Sequence, residues 1–207
     1  MNGGRIALVG VIALLSVSAE PAVAACGGVK HVRPKVDRNP GRAPLAIGDS
    51  GLLGARDEVS RAGFEIDTRD CRSMREGLSV MRRRGRRLPR FVVIMLGANA
   101  DVAAGEIRAA VRIAGRRRVV GLVPPTNGGP DRARMLAAQR RYRGRVLTLD
   151  WVGYSRGHRG WFAGDGLHLG RGGAAGLARL LGRNLRRLYP LRTRFTEARG
   201  RGGYAGR

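Results

Sequence analysis

Lysine is almost missing from this chain: Lys30 and Lys35 are the only two in 207 residues, and arginine supplies the rest of the 40 basic side chains. Acidic residues are scarce as well, 15 in all, so the formal net charge reaches +25. A charge of that size attracts polyanions such as nucleic acid, anionic lipid or an acidic cell-wall polymer. An excess of arginine, glycine and alanine also follows from GC-rich coding, and composition does not separate the two origins. Aromatic residues make up only 5% of the chain, and the arginines are not interleaved with them. The stacking platform that nucleobases require is therefore missing, which disfavours a nucleic-acid partner. Histidine occurs three times and cysteine twice. No His, Cys and carboxylate cluster has metal-ligand spacing, so no metal is implied, and no glycine run spells a dinucleotide or Walker loop. Neither pattern calls for a cofactor.

What is present suffices for a folded domain. Hydrophobic residues reach 43%, and a chain of this length buries a core of useful size. Residues 1–25 read as an export signal. A positive start (Met1 to Arg5) precedes an apolar run from Ile6 to Ala19, too short to span a bilayer, and small residues follow at Ala22-Val23-Ala24-Ala25. A secreted or bacterial cell-envelope location is the expectation. Cys26 and Cys71 leave two readings open. They can form one disulfide in an oxidising compartment. Alternatively, Val23-Ala24-Ala25-Cys26 resembles a bacterial lipobox, which would place lipid on Cys26 and associate the chain with the membrane.

Residues 26–42 hold Gly, Pro and basic side chains without periodicity and read as a linker. From 43 to 189 strand and helix patterns alternate. Short apolar segments at Pro44–Gly48, Phe64–Asp67, Arg90–Leu96, Val119–Val123 and Val146–Leu149 are the strands. The run Phe91-Val92-Val93-Ile94-Met95-Leu96 is unbroken, as expected of a strand buried on both faces. Leu177, Leu180, Leu181, Leu185 and Leu188 mark one stripe of a final helix that Pro190 ends. The Arg- and Gly-rich residues 190–207 read as a disordered basic tail. Five strands alternating with helices predict an α/β fold, a three-layer α/β/α sandwich with a five-stranded parallel sheet. In such sheets active groups collect at the carboxyl ends of the strands.

Three segments fall at that edge. Gly48-Asp49-Ser50 follows the first strand and opens its helix, where a serine is either a nucleophile or a helix cap. Gly97-Ala98-Asn99 follows the third strand, and its amide either serves an oxyanion or turns the chain. Asp165-Gly166-Leu167-His168 precedes the final helix. A serine needs a base to take its proton, and that base needs an orienting carboxylate. Of His31, His158 and His168, only His168 has a carboxylate three residues away in a glycine-bracketed turn.

These blocks, in this order, resemble the SGNH hydrolase family of GDSL-like esterases and acyltransferases. The resemblance covers roughly residues 43–188. It implies a flavodoxin-like sandwich, with Ser50 as nucleophile, His168 as base and Asp165 as its orienting acid. Asn99 and the Ser50 backbone N–H would serve the oxyanion. The family's second block supplies a glycine N–H to the same hole; Cys71 stands at that place here, and its backbone N–H survives the change. The third block usually continues with Asp, whereas Ala100 follows Asn99 here and Asp101 comes one later. The stretch from Asp150-Trp151 to Asp165 is similar to secreted peptidoglycan O-acetyltransferase domains, which carry an aromatic pair before Asp-x-x-His. Trp161 and Phe162 either wall the substrate site or pack in the core.

The implied activity is hydrolysis or transfer of an acyl group, expected to be acetyl, with cell-envelope carbohydrate as substrate. Hydrolase and transferase share every residue named. The competing expectation is a non-catalytic binder of anionic envelope polymers on the same fold.

Overall fold

The computed structural model describes residues 26–36 and 42–188. The expected export signal and basic tail lie outside them, as do residues 37–41 of the segment read as a linker.

The apolar run that marked the third strand explains the architecture. Phe91–Met95 forms β4 and is buried throughout. Its side chains alternate between two cores. Val92 and Ile94 join one with Leu45 and Ile47, while Phe91, Val93 and Met95 join the other with Ala46. A strand that must be apolar on both faces shows no alternation in sequence. We number the other elements around it: β1 (Lys30–Val32), β2 (Leu45–Gly48), α1 (Ser50–Arg61), β3 (Glu65–Thr68) and α2 (Met74–Arg84) precede it. After it come α3 (Ala104–Ala114), β5 (Val119–Leu122), α4 (Asp131–Arg141), β6 (Val146–Thr148), α5 (Trp151–Ser155) and α6 (Arg171–Leu188).

The sheet order is β1-β3-β2-β4-β5-β6, and β2 through β6 are mutually parallel. Leu78 and Met81 of α2, Ile107 and Val111 of α3 and Met135 of α4 fill the core on one face. On the other face lie Leu52 and Val59 of α1, Trp151 of α5 and Leu177 and Leu181 of α6. The result is the expected three-layer sandwich.

One expectation needs correction: the sheet has six strands and is not wholly parallel. Lys30–Val32, inside the segment read as a linker, adds to the edge as β1, antiparallel to β3. Three residues carry no periodicity, so this strand exists through its partners: Lys30 opposite Thr68, His31 opposite Asp67 and Val32 opposite Ile66. His31 Nδ1 lies 3.2 Å from Asp67 Oδ2, and the buried Arg72 holds the other oxygen at 2.7 Å. A Cys26–Cys71 disulfide ties the start of this segment to the turn after β3. Of the two readings of the cysteines, the structure contains the disulfide.

Helix α5 also escaped the periodicity, being a single turn set by its cap. The Asp150 carboxylate accepts from the Gly153 N–H at 3.1 Å and is gripped by Arg132 at 2.8 and 2.7 Å.

Candidate active site

The winding of the chain across the sheet reverses at β2. The strand that follows it, β3, lies on one side and β4 on the other, so the carboxyl ends of β2 and β4 bound a crevice. Gly48 closes β2 where α1 turns tightly back: a Cβ there would stand 2.4 Å from that of Leu52. Asp49 caps α1 by accepting from the Gly51 N–H at 3.1 Å, and Ser50 is the first helical residue. Ser50 thus stands at the positive end of a three-turn helix, where developing negative charge is favoured.

The Asp165-Gly166-Leu167-His168 turn is held by its own aspartate. Asp165 Oδ1 accepts from the N–H groups of Leu167 and His168, each at 2.9 Å, and Gly166 takes the left-handed backbone (φ 67°) the turn needs. Asp165 Oδ2 lies 2.5 Å from His168 Nδ1, and His168 Nε2 lies 3.0 Å from Ser50 Oγ. The His168 side chain and the two N–H donors hold the Asp165 carboxyl well below the usual carboxylate range. An ionised carboxylate only accepts, so Nδ1 must donate to it. In the neutral ring this leaves Nε2 as the acceptor facing the serine hydroxyl.

Asn99 lies exposed in the loop after β4 and reaches toward the same crossing; its Nδ2 donates to Asp49 Oδ2 over a long 3.5 Å. Cys71 sits in the turn after β3 with φ 54°, the one non-glycine residue in the left-handed region among those described. That conformation is the one a glycine would take without strain, at the position where the SGNH pattern has glycine.

Asp49 belongs to the serine block, yet nothing in the sequence indicated its second task. It is 2% exposed, and burial pushes its pKa up to about 6 despite the hydrogen bonds it accepts. It joins the cap of α1 to the loop that carries Asn99. The other bonds that assemble the crevice join segments far apart in sequence. Thr68 Oγ1 donates to the Asp49 carbonyl at 2.8 Å; Asn127 Nδ2 donates to the Gly97 carbonyl at 3.2 Å; Thr126 Oγ1 donates to the Gly166 carbonyl at 3.0 Å. Thr and Asn in turns were the only local signal for these.

A narrow recess opens beside Ser50, lined by Gly51, Met95, Ala98, Pro125, Trp151 and Leu167. Trp161, one of the two aromatics considered as site walls, packs elsewhere. It stacks between His158 (3.9 Å) and Trp151 (5.7 Å) and lies on α6, where a Cβ at Gly176 would come within 2.6 Å of its ring. Phe162 joins the same core. Among the described residues no group of His, Cys, Asp and Glu could hold a metal ion.

This architecture is an SGNH hydrolase-like fold. The chain is similar to the C-terminal catalytic domain of Streptococcus pneumoniae peptidoglycan O-acetyltransferase A, solved with a methylsulfonyl adduct. The TM-score is 0.63 at 21% identity, over 71% of this chain and 94% of that one. It is also similar to a family 3 carbohydrate esterase of Clostridium thermocellum, with a TM-score of 0.52 at 14% identity, over 71% of this chain and 98% of that one. No protein-family model and no curated protein matches the sequence.

Proposed function

We propose that the chain is a serine-dependent acyl-ester enzyme that cleaves acetyl esters, with Ser50, His168 and Asp165 as its triad. The observation that carries this reading is the unbroken relay from Asp165 Oδ2 through His168 to Ser50 Oγ, at 2.5 and 3.0 Å. Ser50 Oγ attacks the ester carbonyl carbon as its proton passes to His168 Nε2. The imidazolium so formed is stabilised by Asp165. Charge accumulates on the former carbonyl oxygen, to which Asn99 Nδ2–H and the backbone N–H groups of Ser50 and Cys71 donate. Collapse breaks the bond to the alkoxy oxygen, which leaves with the proton from His168. Water or a second hydroxyl then attacks the acyl-serine by the reverse proton path.

The narrowness of the recess beside Ser50 favours a small acyl group. The similar structures belong to proteins named for peptidoglycan and carbohydrate esters, so we assign a carbohydrate acetyl ester as the substrate class. The export signal read at residues 1–25 places the enzyme in the cell envelope or outside it.

Hydrolysis of an aryl acetate by the full chain and by Ser50→Ala tests the shared first step. The substitution should remove activity, and a serine-directed sulfonyl or phosphonate reagent should label the Ser50 peptide alone. Full activity in Ser50→Ala, or labelling at another residue, overturns the assignment. Acetate release with and without added glycan acceptor then separates hydrolysis from transfer.

A further inference from the structure

The parallel strands β2 to β6 place every segment that enters a strand at one edge of the sheet, opposite the crevice. All of them but the one before β3 carry arginine: Arg42 before β2, Arg86, Arg87 and Arg90 before β4, Arg116 to Arg118 before β5, and Arg143 and Arg145 before β6. The sequence scatters them over about a hundred residues, and the topology collects them. Arg42 Nη1 and Arg118 Nη2 both donate to the Arg86 carbonyl, at 3.3 and 3.2 Å. Arg118 and Arg145 are scaffold. The first donates to the Leu88 and Ala114 carbonyls, the second to those of Val111 and Gly115 at the end of α3.

Five further arginines of this edge stand apart from the described carboxylates. Arg86, Arg87, Arg116, Arg117 and Arg143 are exposed, and none of them forms an ion pair with another described residue. The described carboxylates toward this end are already taken: Asp57 by Lys35, Glu58 by Arg61 and Glu65 by Arg84. At the opposite edge lie Asp70, Asp101, Asp131, Asp150 and Asp165, and Arg69, Arg72, Arg132 and Arg134 each pair with a carboxylate, although Arg75, Arg156 and Arg159 there stay exposed without a described ion pair. Coding bias enriches arginine throughout a chain; it does not gather carboxylates at one edge and leave the other with few. Arginines in the last turns of α2, α4 and α6 have a local reason in the helix dipole.

We propose that this edge is a docking site for a linear phosphate-bearing polymer, which leaves the Ser50 crevice on the far side free. Guanidinium forks suit phosphate oxygens, and unpaired ones on neighbouring turns suit successive phosphates along a chain. A bilayer would also reward apolar side chains that insert. The exposed large hydrophobics among the described residues are Val29 and Val36, neither of them in these turns. Nucleobases would need aromatic platforms, and the turns contain none but the half-buried Tyr142.

The test measures binding of the full chain to inorganic polyphosphate at rising salt. One variant carries Arg87→Gln, Arg116→Gln and Arg117→Gln. A charge-matched control carries Arg75→Gln, Arg108→Gln and Arg156→Gln, exposed positions outside the edge. The edge variant should lose at least about tenfold in affinity and show a shallower salt dependence, while the control stays within about twofold and both retain aryl acetate hydrolysis. Equal losses in the two variants would show that net charge alone binds, and would overturn the site. Unchanged binding in the edge variant would do the same. Binding to phosphatidylglycerol vesicles but not to polyphosphate, abolished by the edge substitutions, would reassign the edge to a membrane surface and overturn the polymer.

Discussion

His168 Nε2 and Ser50 Oγ lie 3.0 Å apart although 118 residues separate them. The pair is held from both ends. Asp49 and the first turn of α1 set the serine, while Asp165 spends one oxygen on the turn and the other on the ring. The turn thereby fixes the carboxylate that orients the imidazole. The relay is about half exposed, with side-chain accessibilities of 50% for His168 and 49% for Asp165. A substrate can reach it without a lid having to open.

Removal of the base should be more costly than removal of its orienter. His168→Ala is expected to lower kcat for an aryl acetate by about 10³- to 10⁴-fold. Asp165→Ala should cost less than that. Asp165→Asn should cost more than Asp165→Ala, because the two backbone N–H groups fix its carbonyl oxygen and turn its amide N–H toward His168 Nδ1. That selects the tautomer that cannot take the serine proton. Steady-state kinetics check the ranking.

Asn99→Ala tests the oxyanion assignment separately from the triad. A donor that acts only on the developing charge lowers kcat by about 10²- to 10³-fold and leaves KM nearly unchanged. The side chain is exposed, so the melting temperature should not move.

The disulfide and the backbone at Cys71 make separable contributions to stability. Cys26 and Cys71 close a loop of 45 residues, for which chain-entropy reasoning gives about 4 kcal/mol at most, typically 2–4. Denaturant titration with and without reductant measures it. In a Cys26→Ala background, Cys71→Gly should be about 1 kcal/mol more stable than Cys71→Ala, since only glycine takes φ 54° without strain.

Asp49 should leave a signature in the pH dependence of stability. Burial raises its pKa to about 6 in the folded chain, so the folded state binds the proton more tightly than the unfolded one. The sign follows: stability falls as pH rises from the ordinary aspartate value to about 6, by about 3 kcal/mol, and is level above that. Asp49→Asn should remove this fall. The difference in unfolding free energy between the two proteins, measured from pH 4 to 6.5, checks it. A difference that does not vary with pH would contradict the assignment.

The alternation of five strands with helices was legible along the chain, because a strand covered on both faces must be apolar in its own residues. The Phe91–Leu96 run and the leucine stripe of α6 carry that requirement locally. The sequence also marked Ser50, Asp165 and His168 as candidates, since a hydroxyl, an imidazole and a carboxylate are chemically distinct residue types in short blocks. The rest came with folding. Lys30–Val32 became a strand through β3, Cys26 found Cys71, Asp49 was set against Asn99, and arginines from separate turns met at one edge. Each of these is a pairing between distant segments, and neither a short segment nor a single side chain encodes which partner the folded backbone will bring to it.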